Sequence, residues 1–131
     1  MEFAISFPGG VKVDAHFRNY IVHTDQPKEE GGDATAPSPF MIFLASLATC
    51  AGFYALRFCQ TRDLPTEGMK IRQNVHFNKE IKRLEKVTIE ITLPQSFPEK
   101  YLDALVRAVD QCTVKRTILN PPEIEVVTNI S

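Results

Sequence analysis

The chain has 131 residues, 44% hydrophobic and 24% charged, with 15 Lys+Arg against 16 Asp+Glu. That length suits one domain with a real core, and the apolar fraction excludes wholesale disorder and collagen-like repeats. A formal net charge of −1 supplies no basic face to neutralise phosphates, so no nucleic acid partner is expected.

In chain order, Phe3, Ile5 and Phe7 alternate with Glu2, Ala4 and Ser6, which predicts a strand. Pro8-Gly9-Gly10 predicts a turn. Val11, Val13, Ala15 and Phe17 alternate with Lys12, Asp14, His16 and Arg18 to give a second strand, and Asn19 turns the chain into a third over residues 20–24. The stretch DQPKEEGGDATAPSP is a loop by composition. Its length makes it a candidate functional loop.

Ser38-Pro39 opens a long helix, with a hydroxyl at the N-cap and proline at the first helical position. It is expected to reach about Arg62, ahead of Asp63-Leu64-Pro65. Residues 40–56 are mostly apolar, but Ser46, Thr49, Cys50 and Gly52 dilute the run. The segment therefore reads as the central helix of a soluble protein, with no membrane partner. Two amphipathic strands follow, carrying Met69, Ile71, Val75 and Phe77, then Val87, Ile89, Ile91 and Leu93. The charged link 79–85 makes them a hairpin.

Phe97-Pro98 starts a second helix, with Tyr101, Leu102, Leu105, Val106, Val109 and Cys112 on one stripe. Pro121-Pro122 breaks the chain, and Ile124, Val126 and Ile130 predict a last strand. The order β-β-β-α-β-β-α-β is that of an α+β domain over residues 1–131, an antiparallel-rich sheet packed on two helices. The first helix has more apolar faces than one sheet covers, which points to a homodimer.

Three cysteines, none in a CxxC pair, are too few for a disulfide scaffold and badly spaced for zinc. The opening MEFAISFPGG has no secretory pattern, so a cytoplasmic location with reduced thiols is expected. Cys50 and Cys59 share the first helix and point to opposite sides, about 13 Å apart along its axis. A cooperating pair inside the subunit therefore includes Cys112. Small neighbours around Cys50 leave room for another segment or a ligand to reach the sulfur. At mid-helix Cys50 gains little from the helix dipole, so a thiolate there needs a cation from elsewhere. Arg18 and Lys12 are the candidates. Arg57 shares the face of Cys50 but lies about 10 Å along the axis, where it meets water or a loop. His16, His23 and His76 have no ligand spacing for a metal, and no phosphate-binding glycine loop occurs.

The run PKEEGGDATAPSPFMIFLASLATC, with Cys50 eleven residues after Pro39, resembles the signature of the OsmC/Ohr family. The segment VRAVDQCTVKRTI, with Cys112 sixty-two residues after Cys50, resembles that family's second cysteine segment. The resemblance implies an intertwined homodimer with active sites at the interface. It further implies a thiol-dependent peroxidase for organic hydroperoxides that needs no metal or organic cofactor. In that scheme Cys50 is the peroxidatic thiolate and Cys112 the resolving thiol. A dithiol reductant reopens the disulfide, an arginine of the early strand-turn region steadies the thiolate (this chain offers Arg18 and Lys12 there without a clear match, and Arg18 is taken as the catalytic candidate), and Cys59 is structural. Where the family carries an acidic residue just after the motif proline, this chain has Phe40 and Met41. The alternative is a binding protein on the same fold, holding an apolar ligand at the dimer interface with weak or no peroxidase activity.

Overall fold

A computed structural model describes all residues, 1–131. The chain divides into two units, Met1–Ala45 and Ser46–Ser131.

The first unit is built on the period-two pattern of its opening residues. Strands β1 (Ala4–Gly9), β2 (Lys12–Phe17) and β3 (Tyr20–Thr24) form an antiparallel sheet in that order. The first link departs from expectation. Pro8 lies inside a bulged stretch of β1 between Ser6 and Gly9, and the chain reverses at Gly10, whose φ of 56° is left-handed. A proline gives the ladder no N–H, and a bulge leaves that position unpaired. The second link is a tight reversal after Phe17, which pairs with Tyr20. Arg18 takes the left-handed position there, at φ 51°.

The loop after β3 is held by one buried side chain. The Asp25 carboxylate accepts from the backbone N–H of Gln26 and Thr35 at 2.8 and 3.1 Å, and from the Thr35 hydroxyl at 2.7 Å. The Asp33 N–H donates to it at 3.3 Å, and the Asp25 N–H donates to the Pro37 carbonyl. These bonds hold the Asp25 carboxyl well below the usual carboxylate range, at about 2, with the Thr35 hydroxyl the largest cause. Gly32 passes so close to the Gln26 backbone that any side chain there collides with it.

Helix α1 (Pro39–Gln60) starts where the Ser-Pro pair predicts. The Met41 N–H donates to Ser38 Oγ at 3.3 Å, which satisfies one of the free donors at the helix start. By length and composition alone α1 could cross a membrane: its mean hydropathy is 1.7, and 17% of that stretch is buried within the chain.

In the second unit, β4 (Lys70–Asn78) and β5 (Arg83–Thr92) form the expected hairpin, in register from Lys70–Thr92 to His76–Lys86, with a one-residue shift before Phe77–Leu84 and Asn78–Arg83. The link is shorter than expected because Asn78 Oδ1 accepts from the Glu80 and Ile81 N–H groups and turns the chain early. The core joins Ala51, Ala55, Phe58 and Cys59 of α1 to Phe97, Leu105 and Val109, with Met69, Ile71, Ile89 and Ile91 packed against it. Alanines on that face of α1 allow close approach of the neighbouring elements.

The expected second helix is two helices. Helix α2 (Leu102–Val109) ends at Asp110, and α3 (Thr113–Leu119) starts afresh after Cys112. Cys112 is extended, with ψ 135°, and its sulfur accepts from the Lys115 N–H at 3.3 Å, so it caps α3. The apolar stripe is correspondingly narrower, since Leu105, Val109 and Cys112 are buried but Leu102 and Val106 are exposed. The last predicted strand does not form. Residues 121–131 carry no regular structure, and Ile124, Val126 and Ile130 stand in solvent, 82% or more exposed. A strand needs an edge to pair with, and none in this chain takes it.

Candidate functional site

The folding of the second unit brings two of the three thiols together. Cys50 lies half-buried on α1, four residues before Tyr54. Tyr54 Oη and Thr113 Oγ1 are 3.0 Å apart, which ties α1 to the first residue of α3. Cys112, the residue before Thr113, is buried beside Cys50. Burial pushes the Cys112 thiol up, the Lys115 and Val114 N–H groups pull it back, and the Cys50 side chain pushes it up again by hydrogen bonding and charge. The net result is a Cys112 thiol pushed up from its ordinary value, with Cys50 among the causes.

Cys59 is fully buried in the core, and burial pushes its thiol up as well, with Arg62 opposing. It takes no part in the pair. All three cysteines are free thiols.

Of the two candidate cations, Lys12 is engaged: Nζ pairs with the Asp33 carboxylate at 2.9 Å, and its pKa is raised by that hydrogen bond. Arg18 is exposed in the β2–β3 turn of the first unit and pairs with no carboxylate. Phe40 and Met41 are exposed on the first turn of α1, and the Phe40 ring stacks on Phe43 at 5.9 Å. The histidines have separate partners. His16 Nε2 bonds Ser6 Oγ at 2.8 Å, His23 Nδ1 meets Asp14 at 3.0 Å, and His76 Nε2 meets Glu85 at 3.4 Å. No group of three or more His, Cys, Asp or Glu side chains is placed to hold a metal ion.

Arg57 stacks on the Phe53 ring, 5.4 Å from its centroid. Together with Tyr54, Phe58, Thr61, Arg62 and Ala108 these residues line a groove of about 320 Å³. Reasoning from sequence missed two of the participants. Tyr54 reads as one more aromatic on an apolar helix, and Thr113 as a residue at the close of the second helix. The i, i+4 step from Cys50 to Tyr54 was the available signal for the first.

The family model for OsmC-like proteins matches residues 31–127. The chain belongs to the OsmC-like family. Its α+β fold, with antiparallel sheets and three helices, is that of solved OsmC-like structures. One is a protein from Psychrobacter arcticus 273-4 named as a candidate osmotic stress induced and detoxification response protein. It is 21% identical at a TM-score of 0.73, over 88% of this chain and 85% of that one. A second is an OsmC like protein from Mycoplasma pneumoniae, 16% identical at a TM-score of 0.64, over 92% and 89%. A third is named an organic hydroperoxide resistance protein OsmC, from Legionella pneumophila, 18% identical at a TM-score of 0.56, over 90% and 89%. No curated protein matches the sequence.

Proposed function

We propose that this OsmC-like protein is a thiol-dependent reductase of organic hydroperoxides with a role in oxidative stress. The observation that carries the reading is the Tyr54 Oη–Thr113 Oγ1 bond of 3.0 Å, which ties the helical turn after Cys50 to the residue after Cys112, and Cys50 is near enough to push the Cys112 thiol up. The name of the Legionella relative, an organic hydroperoxide resistance protein, points the same way.

In this scheme the Cys50 thiolate attacks the distal oxygen of the hydroperoxide, and the O–O bond breaks. The alkoxide leaves, takes a proton and departs as an alcohol, and Cys50 becomes a sulfenic acid. The Cys112 sulfur then attacks the Cys50 sulfur. Hydroxide leaves with the Cys112 proton as water, and a disulfide forms. A dithiol reduces it by exchange, giving back two thiols and becoming a disulfide itself. The half-exposure of Cys50 suits the thiol that must meet the peroxide, and the burial of Cys112 suits one that reacts only with its neighbour. Arg18 is carried as the cation for the Cys50 thiolate on the family resemblance alone.

We further infer a homodimer. Apolar side chains are left in solvent in both units, among them Phe3 and Phe7 of the opening segment, Phe40 and Met41 of α1, and Ile124 and Val126 of the tail. A second copy buries them, and its sheet edge completes the tail strand that finds no partner here.

Intact mass of reduced protein, before and after one equivalent of cumene hydroperoxide, tests the reading. The expected result is loss of two hydrogens, mapped to Cys50 and Cys112 and faster than with hydrogen peroxide. Cys50→Ser abolishes it, Cys112→Ser leaves a sulfenic acid that dimedone traps, and Cys59→Ser does neither. Three intact thiols after minutes of exposure overturn it.

A further inference from the structure

Within its own segment Cys112 bridges the break between α2 and α3. Its N–H donates to the Val109 carbonyl and its carbonyl accepts from the Arg116 N–H, both at 3.0 Å. Lys115 Nζ pairs with the Asp110 carboxylate across the same break. Helix α2 is anchored to α1 by apolar packing, since Leu105 and Val109 share the core with Ala51, Ala55 and Phe58. Helix α3 lacks that anchor, because none of its residues is buried. Its first residue, Thr113, is instead held to α1 by the hydrogen bond with Tyr54.

Helical geometry makes that bond matter to the sulfurs. Four residues along a helix advance about 6 Å and return to within about 40° of the same face. Tyr54 therefore stands on the Cys50 side of α1, while Thr113 adjoins Cys112. The bond ties the two segments together right beside the two thiols. A disulfide closes only within a narrow window of distance and angle. Whatever freedom Cys112 has relative to α1 is lost when the S–S bond forms. Freedom already removed in the dithiol no longer opposes closure. The coupling is reciprocal, so a contact that favours closure is itself favoured by it.

We propose that Tyr54, acting through Thr113, is a positioning residue that holds Cys112 ready to close on Cys50. The inference rests on the Cys50–Cys112 pairing of the proposed function, but it needs no peroxide. Glutathione disulfide serves as oxidant instead. Cys50 attacks one of its sulfurs and releases a first glutathione, and Cys112 then attacks Cys50 in the mixed disulfide and releases a second. Two protein thiols become one disulfide, one disulfide becomes two thiols, and both protons pass to the departing glutathiones.

Equilibration of the full-length protein in mixtures of reduced and oxidised glutathione tests it, with the Cys50–Cys112 disulfide counted by mass after acid quenching. Tyr54→Phe and Thr113→Val are each expected to lower the equilibrium constant for closure about three- to tenfold, the range that one hydrogen bond supplies. The double variant matches the single ones, and Thr113→Ser, which keeps the hydroxyl, stays near the parent. Urea unfolding of the reduced proteins separates positioning from stability. Hydroxyls that only stabilise the fold shift the urea midpoint and leave the glutathione equilibrium unmoved, which overturns the proposal. So does a Thr113→Ser variant as impaired as Thr113→Val, or a parent protein that forms no Cys50–Cys112 disulfide in glutathione disulfide. If the equilibrium shifts as expected while cumene hydroperoxide leaves three thiols intact, the peroxide reading falls and the positioning role stands.

Discussion

Tyr54 Oη and Thr113 Oγ1, fifty-nine residues apart in sequence, meet at 3.0 Å. Each neighbours the thiol pair, Tyr54 one helical turn after Cys50 and Thr113 next to Cys112. Removing either hydroxyl, as Tyr54→Phe or Thr113→Val, is expected to cost about 0.5–1.5 kcal/mol. The double variant should cost little more than either single one, because both remove the same bond. Urea unfolding of the four proteins checks this. Additive losses would mean that the two hydroxyls act separately.

Cys112 has a structural task besides any chemistry. Its sulfur caps α3 through the Lys115 N–H. Cys112→Ser, with an oxygen in place of the sulfur, keeps the cap, whereas Cys112→Ala loses it at about 1 kcal/mol. Amide exchange at Lys115 distinguishes them: protection persists in the serine variant and falls in the alanine variant. Equal protection in both would assign the α3 start to something other than the sulfur.

The break that Cys112 makes was not legible in the sequence, and the reason is physical. Apolar spacing from Tyr101 to Cys112 fits one continuous helix, and cysteine is not among the residues that usually announce an N-cap. Where the local chemistry is strong, the reading was close. Alternation set β1 to β5 to within a few residues, and Ser38-Pro39 marked the start of α1. The tail failed for the opposite reason: its alternation is that of a strand, but pairing depends on an edge that this chain does not offer. For the site, helix geometry excluded only a Cys50–Cys59 pair, and the pairing of Cys50 with Cys112 came from the family resemblance. The engagement of Lys12 by Asp33 did not follow, because it depends on how the loop from Asp25 folds back.

That loop makes the fold sensitive to acid. The Asp25 carboxyl is held at about 2, below its ordinary value, by the Thr35 hydroxyl and the N–H groups around it. A carboxylate depressed in the folded state contributes stability that is complete above the ordinary carboxylate range, near 4. The contribution is lost as pH falls from there toward 2. Asp25→Asn is expected to remove it at every pH, lowering Tm at pH 7 and flattening the acid limb of the stability profile. Limited proteolysis should then cut within residues 26–36 faster than in the parent. A variant with the parent's acid limb would show that the carboxylate is not the acid-sensitive group.

Leu105 is 1% exposed at the centre of the core formed with Ala51, Ala55 and Phe58. Leu105→Ala should cost about 2–5 kcal/mol, combining lost burial with the cavity left behind. A lower urea midpoint with an unchanged slope is the expected signature. Less than about 1 kcal/mol would mean that the core collapses around the gap.

Helix α1 also has a history within each molecule's synthesis. Its last residue, Gln60, is translated before β4, β5 and α2, the elements that supply the rest of its core through Val109. At about 5–20 residues per second, the ribosome takes roughly 3 to 10 s to deliver them. For that interval the nascent chain ends in a long apolar rod whose core partners Phe97, Leu105 and Val109 are not yet made. Chaperones that survey emerging polypeptides meet their strongest target in this protein there, and slowing translation just after Gln60 lengthens the exposure.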